Sequence, residues 1–131
     1  MASPRYSSDD IQHFQAVAGQ LKMSVPVAFW LTPVERLREI CNGVGGDGSR
    51  FTGVLTFVYR HYQVSASVHD VDYATAERPR GVADRAFRGN MLKEWKARYG
   101  VFRWLTALRE RARIEAAYLA VAMKGGDYYG K

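Results

Sequence analysis

The sequence predicts a mainly α fold: two long antiparallel helices, a third C-terminal helix, and a glycine-rich loop ahead of them. Three observations carry that expectation. Apolar residues recur at three- and four-residue spacing through four separate stretches. Glycines at 43, 45, 46, 48 and 53 crowd one segment, in which no regular element survives. Only about seven residues part the two central helical stretches, a connection that suits antiparallel neighbours.

The elements follow in order. Residues 1–8 read as a loose lead-in. Asp9 or Asp10 is expected to cap a first helix whose apolar positions are Phe14, Val17, Ala18 and Leu21. Thr32-Pro33-Val34-Glu35 reads as a helix start, with Thr32 as cap, Pro33 at the first position and Glu35 completing a capping box. That short helix stops at Asn42-Gly43. The stretch 54–62 is rich in β-branched and aromatic residues and leaves strand and helix both open. A helix is expected over 64–74, with Val64, Val68 and Val71 on one stripe. Glu77-Arg78-Pro79-Arg80-Gly81 breaks it. The next helix, over 82–99, carries Ala83, Phe87, Met91, Trp95 and Tyr99. The last, over 101–123, is expected to turn Leu105, Leu108, Ala112, Ala116 and Leu119 inward and to stop at Gly125-Gly126.

The chain of 131 residues suits one domain over 1–131, with a helical lead-in over 1–39 and the core over 40–128. Hydrophobic residues at 47% exclude a disordered linker. The single cysteine, Cys41, excludes a disulfide scaffold and a four-cysteine zinc site. The longest apolar stretch, 25–34, is broken by Pro26, Thr32 and Pro33 and is too short to span a bilayer. The N-terminus lacks the apolar core of a signal peptide, so the expectation is a soluble protein made in the cytoplasm. A net charge of +6 favours nucleic acid, anionic lipid or an acidic partner without choosing among them.

The chemistry concentrates in His69-Asp70-Val71-Asp72-Tyr73. His69 and Tyr73, four residues apart, share a helical face, while Asp70 is rotated by about 100° from His69. Imidazole and carboxylate can therefore serve two adjacent sites. Asp84 follows the stripe residue Ala83 on the next helix, and antiparallel packing would bring it to His69. A buried carboxylate on one imidazole nitrogen fixes the tautomer and stabilises the imidazolium formed when the other takes a proton. With no protein nucleophile in view, water is the candidate. A carboxylate plus loop carbonyls is a hard-oxygen cage suited to calcium, and Cys41-Asn42-Gly43-Val44-Gly45-Gly46 can supply the carbonyls.

On these residues the chain resembles the phospholipase A2 family, most closely the small cysteine-poor type carried by bacteriophages and prophages. Asn42-Gly43-Val44-Gly45-Gly46 is similar to the family's calcium loop, with Asn42 in place of a cysteine. His69-Asp70-Val71-Asp72-Tyr73 is similar to its His-Asp-x-Cys-Tyr motif, with Asp72 in place of the cysteine. Ala83-Asp84-Arg85-Ala86-Phe87 resembles the second-helix segment, and the end, through Tyr118 to Gly125-Gly126, fits the phage type. The likeness covers 40–128. It implies His69 as general base on a water that attacks the sn-2 ester, Asp84 orienting His69, and Tyr73 bonded to Asp84. It also implies Ca2+ held by Asp70 and the carbonyls of Cys41, Gly43 and Gly45, and a phospholipid membrane surface as partner, anionic lipid favoured. Virion association or release on lysis would accompany a phage setting. Asp72 departs from the pattern: it leans towards the core and needs a partner such as an arginine.

Other readings stand beside this one: a catalytically weakened relative acting as a phage structural or accessory protein, a metal phosphohydrolase, and a basic helical module for nucleic acid or membrane. Asp84 could instead pair with Arg88. His61, eight residues before His69, could share its face. His13 reads as surface and Cys41 as a packed thiol. Arg109, Arg111 and Arg113 read as a solvated face, with contact to lipid phosphate or nucleic acid as the alternative, and Phe29-Trp30-Leu31 reads as core, with a membrane-facing rim as the alternative.

Overall fold

The computed structural model describes residues 6–41, 54–99, 104–127 and 129–130. The glycine-rich loop, with Gly43 and Gly45, lies outside the described residues. Among those described, the fold is mainly helical and holds no strand: α1 (Ser8–Gln20), α2 (Ala28–Leu31), α3 (Val34–Ile40), α4 (Val54–His61), α5 (Gln63–Thr75), α6 (Arg80–Arg98) and α7 (Trp104–Lys124), then a 3-10 turn, Gly125–Asp127. None of these helices is long and apolar enough to cross a membrane.

Helix α1 starts two to three residues earlier than expected. Ser7 is its cap: the Asp10 N–H donates to Ser7 Oγ at 3.1 Å, and Asp10 Oδ2 accepts from the Ser7 N–H at 2.9 Å. Two orphan donors are satisfied at once, which neither aspartate achieves alone as cap. Ile11, Phe14 and Ala18 are buried. The expected start at Thr32 is also displaced. The Thr32 N–H closes α2 on Ala28 O, and Pro33, at ψ 143°, precedes the first helical residue without a side-chain cap. Glu35 accepts from Arg38 and from Ser8 rather than reaching back. In α2, Phe29 is buried, but Trp30 and Leu31 are 44% and 76% exposed, so only the first of the three is core.

The ambiguous stretch 54–62 is the helix α4. Its β-branched and aromatic residues serve packing rather than a ladder: Val58, Tyr59 and the following Tyr62 are buried. Tyr62 leaves helical geometry at φ −126°, ψ 55°, and α5 begins at the next residue.

Helices α5, α6 and α7 run up, down and up. Ser65 near the start of α5 meets Glu94 near the end of α6, while Tyr73 near the end of α5 meets Asp84 near the start of α6. Across α6 and α7, Arg80 reaches Val121 and Ala122, Arg88 reaches Glu115, and the Trp95 indole donates to Ala107 O at 2.7 Å. Ala76, in left-handed geometry at φ 49°, closes α5 before the short link to α6.

Two cores flank α5. One joins Ile11, Phe14, Phe29, Leu37 and Cys41 to Val64, Val68 and Val71. The other joins Val58, Tyr62, Phe87, Met91, Ile114 and Val121 around Ala66. The expected stripe of α5 faces the first core, and Phe87, Met91 and Trp95 of the expected α6 stripe face the second, while Ala83 is buried outside both and Tyr99 follows the end of α6, half-buried. The expected stripe of α7 faces neither core. Leu108 and Leu119 are 52% and 56% exposed, Ala112 is exposed and Ala116 only partly buried, whereas Ala107, Glu110, Ile114, Ala117 and Val121 point in. The side chain of Leu105 lies outside the described residues. Helix α7 carries apolar residues at helical spacing on two opposite faces. The inner one has the small Ala107 and Ala117, which permit close approach to α6. Glu110 is accepted inside because the Tyr62 hydroxyl donates to it at 2.5 Å.

Candidate active site

Antiparallel packing of α5 on α6 assembles a buried cluster of His69, Tyr73 and Asp84. His69 Nε2 lies 3.1 Å from Asp84 Oδ1, and the Tyr73 hydroxyl donates to the same oxygen at 2.6 Å. The side chains of His69 and Asp84 are each 5% exposed. One turn of α5 sets the rings of His69 and Tyr73 4.3 Å apart, and on its other side the imidazole stacks on Phe87 at 4.3 Å and 19°. The ring is thus held in plane by an aromatic and in rotation by a carboxylate.

The electrostatics favour an ionised Asp84. Burial opposes its charge. The hydrogen bonds from His69 and Tyr73, with the charges of His69 and Arg80, outweigh burial and hold the carboxyl below its usual range. Burial, followed by the bond to Asp84, pushes the Tyr73 phenol well up, so it remains a donor. An ionised carboxylate only accepts, so Nε2 of His69 carries the proton towards Asp84. In the neutral ring Nδ1 then has a lone pair to offer, and it has no hydrogen-bond partner among the described residues. That is the arrangement a general base requires.

Asp70 points elsewhere, as its rotation along α5 requires. The Tyr59 hydroxyl donates to Oδ1 at 2.9 Å; Oδ2 is fully enclosed and has no hydrogen-bond partner among the described residues, although the residue as a whole is only partly buried. Burial pushes this carboxyl up to about 8, against the Tyr59 bond that favours the charge. Cys41 is its neighbour: its thiol donates to Ser67 O at 3.5 Å, and burial, then the charge of Asp70, push that thiol well up. A high thiol pKa fits the packed, unreactive cysteine expected from the sequence. Gly43 and Gly45, the other expected carbonyl donors, lie outside the described residues. Among the described residues no three His, Cys, Asp or Glu side chains converge as a metal group. Asp70 therefore stands as a lone side-chain donor where the loop begins. Its enclosed, unpartnered oxygen is a group that a cation would satisfy.

The remaining candidates resolve individually. Asp72 is fully buried and held by Arg78 through two bonds of 2.8 and 2.5 Å, the arginine partner its position demanded. It is occupied and takes no place beside the imidazole. Arg88 pairs with Glu115 rather than Asp84. His61 belongs to α4, a separate helix, so its eight-residue spacing from His69 places it on no shared face. It stacks on Phe57 and lines a surface cleft with His13, Arg60, Glu94 and Arg98.

Three contributors were not singled out from the sequence. Arg80 lies 3.7 Å from Asp84 Oδ2 while its Nη2 donates to Val121 O and Ala122 O, tying the end of α7 to the site. Its spacing of four residues before Asp84 was the available signal. Tyr59 sits in the stretch whose secondary structure was undecided, so no signal pointed to it. Gly125 was read only as a helix stop. A Cβ there would stand 2.4 Å from the Tyr73 hydroxyl, so the absence of a side chain is what lets the turn seat on that phenol. The following residues complete the seat: the Gly130 N–H donates to Tyr73 O at 2.8 Å, and the ring of Tyr129 meets that of Tyr73 edge-on at 5.4 Å.

No known family model, curated protein or solved structure matches this chain.

Proposed function

We propose that this chain is a phospholipase A2-like hydrolase that uses Ca2+ and an activated water to cleave the sn-2 ester of glycerophospholipids. One observation carries the reading: His69, Asp84 and Tyr73 form a buried hydrogen-bonded cluster, and the residue next to the imidazole, Asp70, keeps an enclosed carboxyl oxygen without a partner among the described residues.

In this reading His69 Nδ1 takes the proton from water as it attacks the ester carbonyl. Asp84 stabilises the imidazolium that forms. Tyr73 and Arg80 fix Asp84, and Phe87 fixes the ring. The proton then passes from His69 to the leaving alcohol. Calcium, when held by Asp70 Oδ2 and the carbonyls of Cys41, Gly43 and Gly45, would supply electrophilic stabilisation of the oxyanion. The net charge of +6 favours an anionic phospholipid surface as the place where substrate is met.

The test is fatty-acid release from anionic phospholipid vesicles with calcium, comparing the native chain with His69→Gln. Glutamine keeps a polar group of similar reach but cannot take the proton at neutral pH. Release is expected to fall at least about a hundredfold, within the usual 10²–10⁴ worth of a general base, with vesicle binding unchanged. In parallel, calcium at a hundredfold excess over Kd should add about 2.7 kcal/mol to the stability of the native chain, and Asp70→Asn should abolish most of that gain. Equal release by both chains would sink the role of His69. No release by either, with several lipids tried, would favour a catalytically weakened relative with a structural or accessory role.

A further inference from the structure

Helix α7 presents a second apolar stripe to the outside. Leu108, Leu119 and Met123 are 52%, 56% and 75% exposed, and Ala112 between them is exposed too. At about 100° per residue these four fall within an arc of about 60°, opposite the inward Ile114, Ala117 and Val121. Leu108 to Leu119 and Ala112 to Met123 are each eleven residues, close to three whole turns, so the stripe runs straight along the helix instead of winding round it. From Leu108 to Met123 it is about 22 Å long at 1.5 Å per residue.

Cations border this stripe. Arg109 stands about 40° beyond one edge of it and Arg111 about 60° beyond the other, with Arg113 and Lys124 further round on the Arg109 side, all exposed. The guanidiniums of Arg113 and Arg111 lie over the rings of Phe57 and Trp95, at 4.5 and 5.7 Å from their centroids. Arg109 and Lys124 make no ion pair among the described residues. The carboxylate at the border, Glu115, is taken by Arg88 through bonds of 2.5 and 2.6 Å.

We propose that α7 is the element that docks this chain on an anionic phospholipid bilayer, lying in the interface plane with Leu108, Leu119 and Met123 among the acyl chains and its flanking cations at the headgroups. A straight apolar stripe with basic borders matches that surface in both shape and charge. Arg and Lys can lay their apolar stems along the stripe while their heads reach phosphate. A second copy would bring basic border against basic border. A nucleic acid would use the cations but leave two leucines and a methionine in water. The inference extends the lipid-surface part of the proposed function and needs none of its chemistry, because binding is read without turnover.

The experiment is sedimentation of the full chain with unilamellar vesicles of equal parts phosphatidylglycerol and phosphatidylcholine, against phosphatidylcholine alone, in chelator. The native chain is expected to bind the anionic vesicles. Leu108→Gln/Leu119→Gln/Met123→Gln should bind at least tenfold more weakly, with helix content and melting temperature unchanged. Arg109→Gln/Lys124→Gln should weaken binding about fivefold per cation removed and flatten its salt dependence. This second variant keeps the inference testable should the triple one misfold. Full binding by either variant overturns the proposal. So does failure of the native chain to bind anionic vesicles, or a dimer at micromolar concentration that the triple variant turns into monomer. Hydrolysis of a short-chain phospholipid below its micelle concentration reads the His69 site alone, so failure of the chemistry and failure of the docking face are told apart.

Discussion

Helices α5 and α7 flank α6 on its two sides and treat their second faces in opposite ways. Helix α5 is enclosed by α1, α3, α4 and α6, so nine of its 13 residues are buried and its polar groups must find partners inside. Most do: Ser65 meets Glu94, His69 meets Asp84, Asp70 meets Tyr59 on one oxygen, and Asp72 meets Arg78, while Ser67 Oγ and the second oxygen of Asp70 have no partner among the described residues. Helix α7 buries one stripe and leaves the other in the open. The enclosed helix can hold a site because burial ties most of its polar residues into specific bonds. The half-enclosed helix is free to hold an apolar surface because no described residue folds over it. The difference separates a place where chemistry can be preorganised from a place where a surface can be met.

The largest expected effect lies on the enclosed side. Arg78→Ala leaves Asp72 buried and uncompensated, which should cost about 3–5 kcal/mol in urea unfolding. Asp72→Leu/Arg78→Met, which removes both charges, should recover most of that loss. If the single variant loses less than about 1 kcal/mol, the contrast fails at its root, since α5 would then tolerate an unpaired buried charge.

A smaller effect concerns how the end of α7 supports that enclosed cluster. Gly125→Ala places a methyl group against the Tyr73 hydroxyl, and overpacking of this kind typically costs about 1–3 kcal/mol. Tyr73→Phe removes the bond to Asp84 and should cost about 1.5–3 kcal/mol, the usual range for a bond to a charged partner. Together they should cost less than the sum by at least about 0.5 kcal/mol, because the oxygen that the methyl strikes is gone. Additive losses in a double-mutant cycle by urea unfolding would show that the turn does not bear on the phenol in solution.

The same contrast explains what was legible in the sequence. The residues of the cluster were: His69, Tyr73 and Asp84 could be placed together because α5 and α6 are joined by a short link and each carries a single apolar stripe that fixes its rotation. Asp70 was placed on a different bearing by the same geometry. Helix α7 was legible as a helix and illegible as to its face. Two stripes of similar spacing satisfy one periodicity, and the larger side chains, Leu108 and Leu119, lie on the outer one. What settles the face is the close approach allowed by Ala107 and Ala117 and the bond from Tyr62 to Glu110, both long-range facts. Tyr59 and Gly125 escape the sequence for a related reason: each acts on the cluster through packing that no local pattern announces, whereas the i,i+4 spacing of Arg80 and Asp84 is a local signal.

The smallest expected effect is on the outside of α7, and it discriminates most sharply between the two helices. Leucine and glutamine have nearly the same helix propensity, so Leu119→Gln reports only what covers that position. An exposed site should respond within about 0.5 kcal/mol in either direction. Ile114, five residues earlier and fully buried, is the internal standard: Ile114→Ala should cost about 2–5 kcal/mol through lost contact and a residual cavity. Both are read by urea unfolding at low protein concentration without lipid. A Leu119→Gln loss approaching that of Ile114→Ala would mean that the outer stripe is covered in the free protein. The membrane could then reach it only after whatever covers it had moved away. A near-zero change leaves the stripe bare in water, where its apolar area is unfavourably hydrated. The proposed docking face then carries no stability of its own, so the fold and the proposed surface interaction can be altered separately by substitutions on the two sides of one helix.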